Sequence, residues 1–123
     1  EARLPVVLHV DDDPDMLAVL ANAFEGKAVL RSTPSVVAAR AILRRDRMDA
    51  AILDIGLLDG CGTDLVPLLR ERQPALPILV FTAQEAEQCK MDGVDLVLVK
   101  SRASLDLLVS ETMQRIGRRG VSE

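Results

Sequence analysis

Carboxylates stand directly after short apolar runs: Asp11-Asp12-Asp13 after Val6-Val7-Leu8-His9-Val10, and Asp54 after Ala50-Ala51-Ile52-Leu53, with Asp59 just beyond. Runs of this kind, apolar on both faces, belong to the buried strands of parallel sheets. Acidic groups that follow them project from the carboxyl ends of strands, where open α/β sheets place their ligand crevice. Like charges in one crevice repel one another unless a hard cation with oxygen ligands, most plausibly Mg²⁺, sits among them. Asp54, flanked by an acidic pair and a metal, is then a candidate acceptor of a phosphoryl group. The chain is expected to be a phosphorylation switch.

At 123 residues the chain makes one domain, with a core large enough to need no disulfide or structural metal. Phe24 and Phe81 are its aromatic residues, so that core is aliphatic. A net charge of −4 argues against nucleic acid as a direct partner. The apolar runs fall far short of a membrane span. Cys61 and Cys89, without a secretory signal, suggest a reducing cytosol, and both read as incidental. The opening residues read as a linker over 1–4, so a segment of a longer protein is expected, with its folded unit over 5–117 and a frayed tail over 118–123.

The order of elements follows from periodicity and punctuation. Pro5–Val10 is a strand. Pro14 suits a first helical turn, and Leu17, Leu20, Ala21 and Phe24 share one face of a helix that Gly26 stops. Ala28–Arg31 is a second strand, and Thr33-Pro34-Ser35 opens an Ala-rich helix to about Arg45. Ala50–Leu53 is the third strand. Thr63–Arg72 is helical, with Pro67 in its first turn, where a missing N–H costs little. Pro77–Thr82 and Asp95–Val99 are the last strands, with room at Gln84–Met91 for only a shortened fourth helix between them. Ser101 caps a final helix that Gly117 ends. Alternation of strands and helices implies an α/β fold with a doubly wound parallel sheet.

Val10-Asp11-Asp12-Asp13-Pro14, Asp49-Ala50-Ala51-Ile52-Leu53-Asp54 with Gly62, Val80-Phe81-Thr82-Ala83, and Gly93-Val94-Asp95 through Lys100 occur in order, each at a strand end. In this the chain resembles the receiver domains of two-component response regulators over nearly its whole length. The resemblance implies a five-stranded flavodoxin-like (βα)5 fold. It implies Asp54 as nucleophile toward a phosphohistidine on a histidine kinase or histidine phosphotransfer domain. Asp11 and Asp12 then hold Mg²⁺ together with the Asp54 carboxylate and the Gly56 carbonyl. Lys100 gives a charge to one phosphoryl oxygen and Thr82 a hydroxyl donor to another. The isolated domain is not an enzyme beyond its own phosphorylation and dephosphorylation, it works in the cytoplasm, and weak self-association fits the family. Val99 through Val109 is similar to receivers at the C-terminal end of hybrid sensor histidine kinases.

The chain also departs from the family pattern. Leu58 stands where Pro is usual, Val97 where an aromatic ring is usual, and Ser101 where a Pro in a cis peptide follows the Lys. Without a ring at Val97, the usual aromatic relay is missing, and activation is expected to act by ordering the 84–91 segment through Thr82. Bland readings apply elsewhere: Asp13 is a helix cap, His9 a packed core residue, and Arg44-Arg45-Asp46-Arg47 a solvated helix end, with a docking patch as the alternative.

Two other classes compete. A pseudo-receiver would keep the fold as an interaction surface without phosphorylation, and the intact acidic set argues against it. A phosphatase with a nucleophilic Asp usually has a second Asp where this chain has Gly56. A flavin protein should offer a phosphate-cradling loop after the first strand, where this chain has repelling carboxylates.

Overall fold

The computed structural model describes residues 3–83 and 91–121, with side chains to residue 118. Five parallel strands, β1 (Val6–Val10), β2 (Val29–Thr33), β3 (Ala50–Leu53), β4 (Ile78–Thr82) and β5 (Leu96–Val99), form one sheet in the order β2-β1-β3-β4-β5. The described helices are α1 (Pro14–Ala23), α2 (Val36–Arg45), α3 (Val66–Arg72) and α4 (Leu105–Val121). The doubly wound parallel sheet expected from the sequence is present. The shortened helix expected at Gln84–Met91, and the ordering of that segment on activation, lie outside the described residues.

Alternation along the strands sorts side chains onto two faces. On one, Leu8, Val10, Ala51, Leu53 and Ile78 pack under α2 and α3 through Val36, Leu43, Val66 and Leu69. On the other, Val7, Ile52, Leu79 and Phe81 pack under α1 and α4 through Leu20, Phe24, Leu108 and Val109. β3 lies between β1 and β4, and all four of its residues are buried. Asp54 is therefore delivered from the middle of the sheet.

Several boundaries differ from the sequence reading for identifiable reasons. β2 runs on to Thr33 because every residue from Val29 pairs with β1. On α1 the buried face is Met16, Leu20, Ala23 and Phe24, while Ala21 is exposed. Gly26, at φ +80°, then turns the chain, as expected of a glycine after a helix. The segment before α3 is a single 3-10 turn, Gly62–Leu65, so the α-helix begins only at Val66, with Pro67 still in its first turn.

At the far end, Ser104 rather than Ser101 caps α4, its Oγ accepting from the Leu107 N–H at 3.0 Å. Residues 100–103 are instead used to turn the chain, the Arg102 and Ala103 N–H groups both donating to the Val99 carbonyl at 2.9 Å. The described residues contain no cis peptide, so Ser101 follows Lys100 through a trans bond. α4 passes through Gly117 and runs to Val121. A Cβ at Gly117 would meet nothing within 4 Å, so this glycine neither marks a close contact nor breaks the helix. Among the described residues no helix is long and apolar enough to cross a membrane.

Candidate functional site

Register brings the acidic residues together. The Asp11 N–H donates to the Thr33 carbonyl at 3.1 Å and the Asp54 N–H to the Val10 carbonyl at 2.9 Å, so sheet hydrogen bonding continues one residue past β1 and β3. Both side chains thus leave the carboxyl edge of adjacent strands. Asp11 is fully buried, Asp54 is 8% exposed, and Asp12 is half-buried beside them. Each offers a carboxylate oxygen within 4.8 Å of the others.

Lys100 closes the cluster from β5's end. Its backbone N–H donates to the Thr82 carbonyl at 2.7 Å, and its Nζ lies 2.7 Å from Asp11 Oδ2 and 3.4 Å from Asp54 Oδ2. The stem passes over Phe81, with Nζ 5.8 Å from the ring centroid. Thr82 is fully buried at the end of β4, the strand next to Asp54's own. The remaining oxygens are held by local backbone: Asp13 N–H on Asp11 Oδ1 at 3.0 Å, and Ile55 N–H on Asp54 Oδ1 at 2.8 Å.

The electrostatics record the crowding. Burial raises the Asp11 carboxyl above its ordinary value, and the Asp54 charge adds to that against the opposing pull of Lys100. Burial alone would lower Lys100, but its bond to Asp11 and the charge of Asp54 outweigh that and raise it. One ammonium faces three carboxylates, so negative charge remains in excess. An all-oxygen set of this kind suits a hard divalent cation.

His9 is a core residue, as expected: 1% exposed, with its pKa lowered to about 4 by burial and then by the Lys100 charge. Its Nδ1 has no hydrogen-bond partner among the described residues. Asp13 caps α1, accepting from the Asp15 N–H at 3.0 Å. Asp59, by contrast, leaves the crevice; its carboxylate accepts from the Val36 and Val37 N–H groups at the start of α2. Proximity in sequence to Asp54 had suggested otherwise, but an orphaned helix N-terminus is the stronger claimant for its charge. Cys61 is not a free thiol, and Cys89 lies outside the described residues. Val97 is 39% exposed on the edge strand.

Gly62 has a role that spacing alone does not reveal. A Cβ on it would stand 1.9 Å from the Asp54 carbonyl oxygen, so the 3-10 turn can approach the end of β3 only without a side chain. Gln73 carries no motif signal at all. It is buried, and its side-chain amide accepts from the Met48 N–H at 3.0 Å and donates to the Met48 carbonyl at 2.7 Å, securing the entry to β3.

Comparison with known proteins identifies the family and agrees with the fold. The family model described as "Response regulator receiver domain" matches residues 7–110. The photosynthetic apparatus regulatory protein RegA of Cereibacter sphaeroides is 41% identical over 81 residues, covering 65% of this chain and 44% of that protein. The probable transcriptional regulatory protein TcrX of Mycobacterium tuberculosis is 34% identical over 90 residues, 72% of this chain and 38% of that one. The chain thus spans less than half the length of these two relatives. A CheY-like response regulator receiver domain protein from Methanospirillum hungatei shares the fold at a TM-score of 0.88 and 20% identity, over 98% of this chain and all of that one. A sensor protein from Polaromonas sp. JS666 superposes at 0.80 and 25% identity, over 93% of this chain and 97% of that one. The five-stranded sheet and the matching family model agree, and the chain belongs to the response regulator receiver domain family.

Proposed function

We propose that Asp54 accepts a phosphoryl group from a phosphohistidine, on a histidine kinase or a histidine phosphotransfer domain, with Mg²⁺ bound by Asp11, Asp12, Asp54 and the Gly56 carbonyl. The observation that carries this reading is the placement of Asp54: a nearly buried carboxylate at the end of the central strand, inside an acidic cluster with Lys100 Nζ 3.4 Å away.

An Asp54 carboxylate oxygen attacks phosphorus, the P–N bond to the histidine breaks, and the imidazole leaves with the electron pair and takes up a proton. Bound Mg²⁺ offsets charge on the carboxylates and the incoming phosphoryl oxygens. Lys100, already 15% exposed and aimed between Asp11 and Asp54, meets one phosphoryl oxygen. Thr82, on the neighbouring strand, donates its hydroxyl to another. The product carries roughly −1.5 to −2 charges at neutral pH in place of the single charge of the Asp54 carboxylate, a change that Lys100 is positioned to feel. The acting unit runs from residue 5 through α4, past the Gly117 at which the sequence reading ended it. Similarity to both regulators and a sensor protein supports this chemistry for the domain whichever longer protein carries it, including the C-terminal receiver position of a hybrid sensor kinase.

Incubation with acetyl phosphate and Mg²⁺, borohydride trapping and peptide mass spectrometry test the assignment. The label is expected on Asp54. A label on Asp59, or none with any phosphodonor, overturns it.

A further inference from the structure

Asp59 lies outside the carboxylate cluster, yet both of its oxygens are committed. Oδ1 accepts from the Val36 N–H and Oδ2 from the Val37 N–H, each at 3.0 Å, across 23 and 22 residues of sequence. These bonds hold its carboxyl below the ordinary value. α2 already has a cap of its own: Ser35 Oγ accepts from the Ala38 N–H and the Ser35 carbonyl from the Ala39 N–H, both at 3.1 Å. The first four N–H groups of the helix are therefore all satisfied, and two of them by another loop.

That loop has little slack. Leu57 and Gly60 exchange backbone hydrogen bonds of 3.1 and 3.4 Å, which puts Leu58 and Asp59 at the tip of a closed turn. The Leu57 N–H also lies 3.2 Å from the Ile55 carbonyl, so Gly56 is the middle residue of a three-residue turn. Only Ile55 and Gly56 separate Asp54 from the pinned turn. On the other side, Cys61 N–H donates to Asp64 Oδ2 at 3.0 Å, and Gly62 rests on the Asp54 carbonyl.

We infer that Asp59 is a positioning residue for the metal site: by tying the turn to the first turn of α2, it fixes Gly56, and with it the backbone ligand of the proposed Mg²⁺ set. The inference rests on the phosphoacceptor reading above. Asp59 touches neither the cation nor the phosphoryl group, so its loss falls on Mg²⁺ affinity rather than on the reactivity of Asp54.

Mg²⁺ titration of the purified chain, followed by amide NMR shifts, tests this, with acetyl phosphate labelling as a second measurement. Asp59→Ala is expected to weaken Mg²⁺ binding about tenfold, the lower end of what loss of an outer-shell support costs. Its labelling rate is expected to return to the wild-type value at saturating Mg²⁺. Asp59→Asn keeps one acceptor oxygen and should fall between the two. Ser35→Ala removes a cap from the same helix, so it should lower stability while leaving Mg²⁺ affinity unchanged. Wild-type affinity in Asp59→Ala, or equal weakening in Ser35→Ala, overturns the inference while wild-type labelling of Asp54 leaves the site reading standing. A wild-type chain that binds no Mg²⁺ overturns both.

Discussion

Gly62 sits so close to the Asp54 carbonyl that a methyl group on its Cα would be 1.9 Å from that oxygen. The oxygen belongs to backbone at the end of the central strand, so neither side can yield cheaply. Gly62→Ala is expected to shift the 3-10 turn and lower stability by about 1–3 kcal/mol, the usual range for overpacking. Urea denaturation checks the stability. Labelling by acetyl phosphate should fall as well, because the turn and Asp54 move together. An unchanged denaturation midpoint would show that the turn is looser than its contacts suggest.

The bond from Lys100 to Asp11, at 2.7 Å, is shorter than its contact with Asp54, at 3.4 Å. Removing the ammonium leaves Asp11 buried beside two other carboxylates, with no cationic neighbour among the described residues to offset them. Lys100→Met should therefore destabilise the metal-free chain at neutral pH by about 3 kcal/mol, near the cost of breaking a buried pair. Saturating Mg²⁺ should restore most of that. The double variant Lys100→Met with Asp11→Asn should be more stable than Lys100→Met alone. Thermal melts in EDTA and in Mg²⁺ measure all three, and equal melting temperatures for the two variants would refute the pairing.

His9 gives a pH dependence of definite sign. Its folded pKa of about 4 lies below the 6.5 of the unfolded chain, first through burial and then through Lys100. The unfolded state therefore takes up a proton that the native state refuses. Stability from this group is complete above pH 6.5 and is lost as pH falls toward 4, by about 3 kcal/mol in all. Asp11, raised by burial, works in the opposite sense: its folded state holds the proton more tightly, so its contribution declines as pH rises past 3.8. The His9 effect is accordingly read as a difference. His9→Val, with no imidazole to protonate, should lose less stability than wild type between pH 6.5 and 4 in parallel urea titrations. Parallel curves would refute it.

Much of the fold was legible because burial in a parallel sheet leaves a plain signature. β3 was readable to the residue, since a central strand covered on both faces has no polar position to blur its ends. Edge strand β2 was not, because Ser32, which is exposed, and Thr33, which reads as the opening of a helix, do not look like strand until their pairing with β1 is known. The positions of Asp11, Asp12, Asp54 and Lys100 followed from strand ends. The division of labour between Asp12 and Asp59 did not, since it depends on where an unrelated helix begins. Gln73 was invisible for a similar reason: it bonds to the backbone of Met48, and such a partnership leaves no periodicity and no motif. Arg70 is another case, reaching the carbonyls of Pro74, Leu76 and Gly93 as well as the Asp95 carboxylate.

The pairing of Lys100 with Asp11 spans 89 positions of sequence. During synthesis the carboxylates emerge first, and Lys100, their cationic partner among the described residues, is made after all five strands. Until then the ends of β1 and β3 hold a knot of like charge without that partner. A product truncated before residue 100 has every acidic ligand and no ammonium to quiet them. Such fragments also lack α4, so part of one face of the sheet stays open beside the uncompensated carboxylates, whereas the longer chain supplies both the cover and the counter-charge. Lys100 and the helix that helps cover that face thus come from the same last stretch of chain.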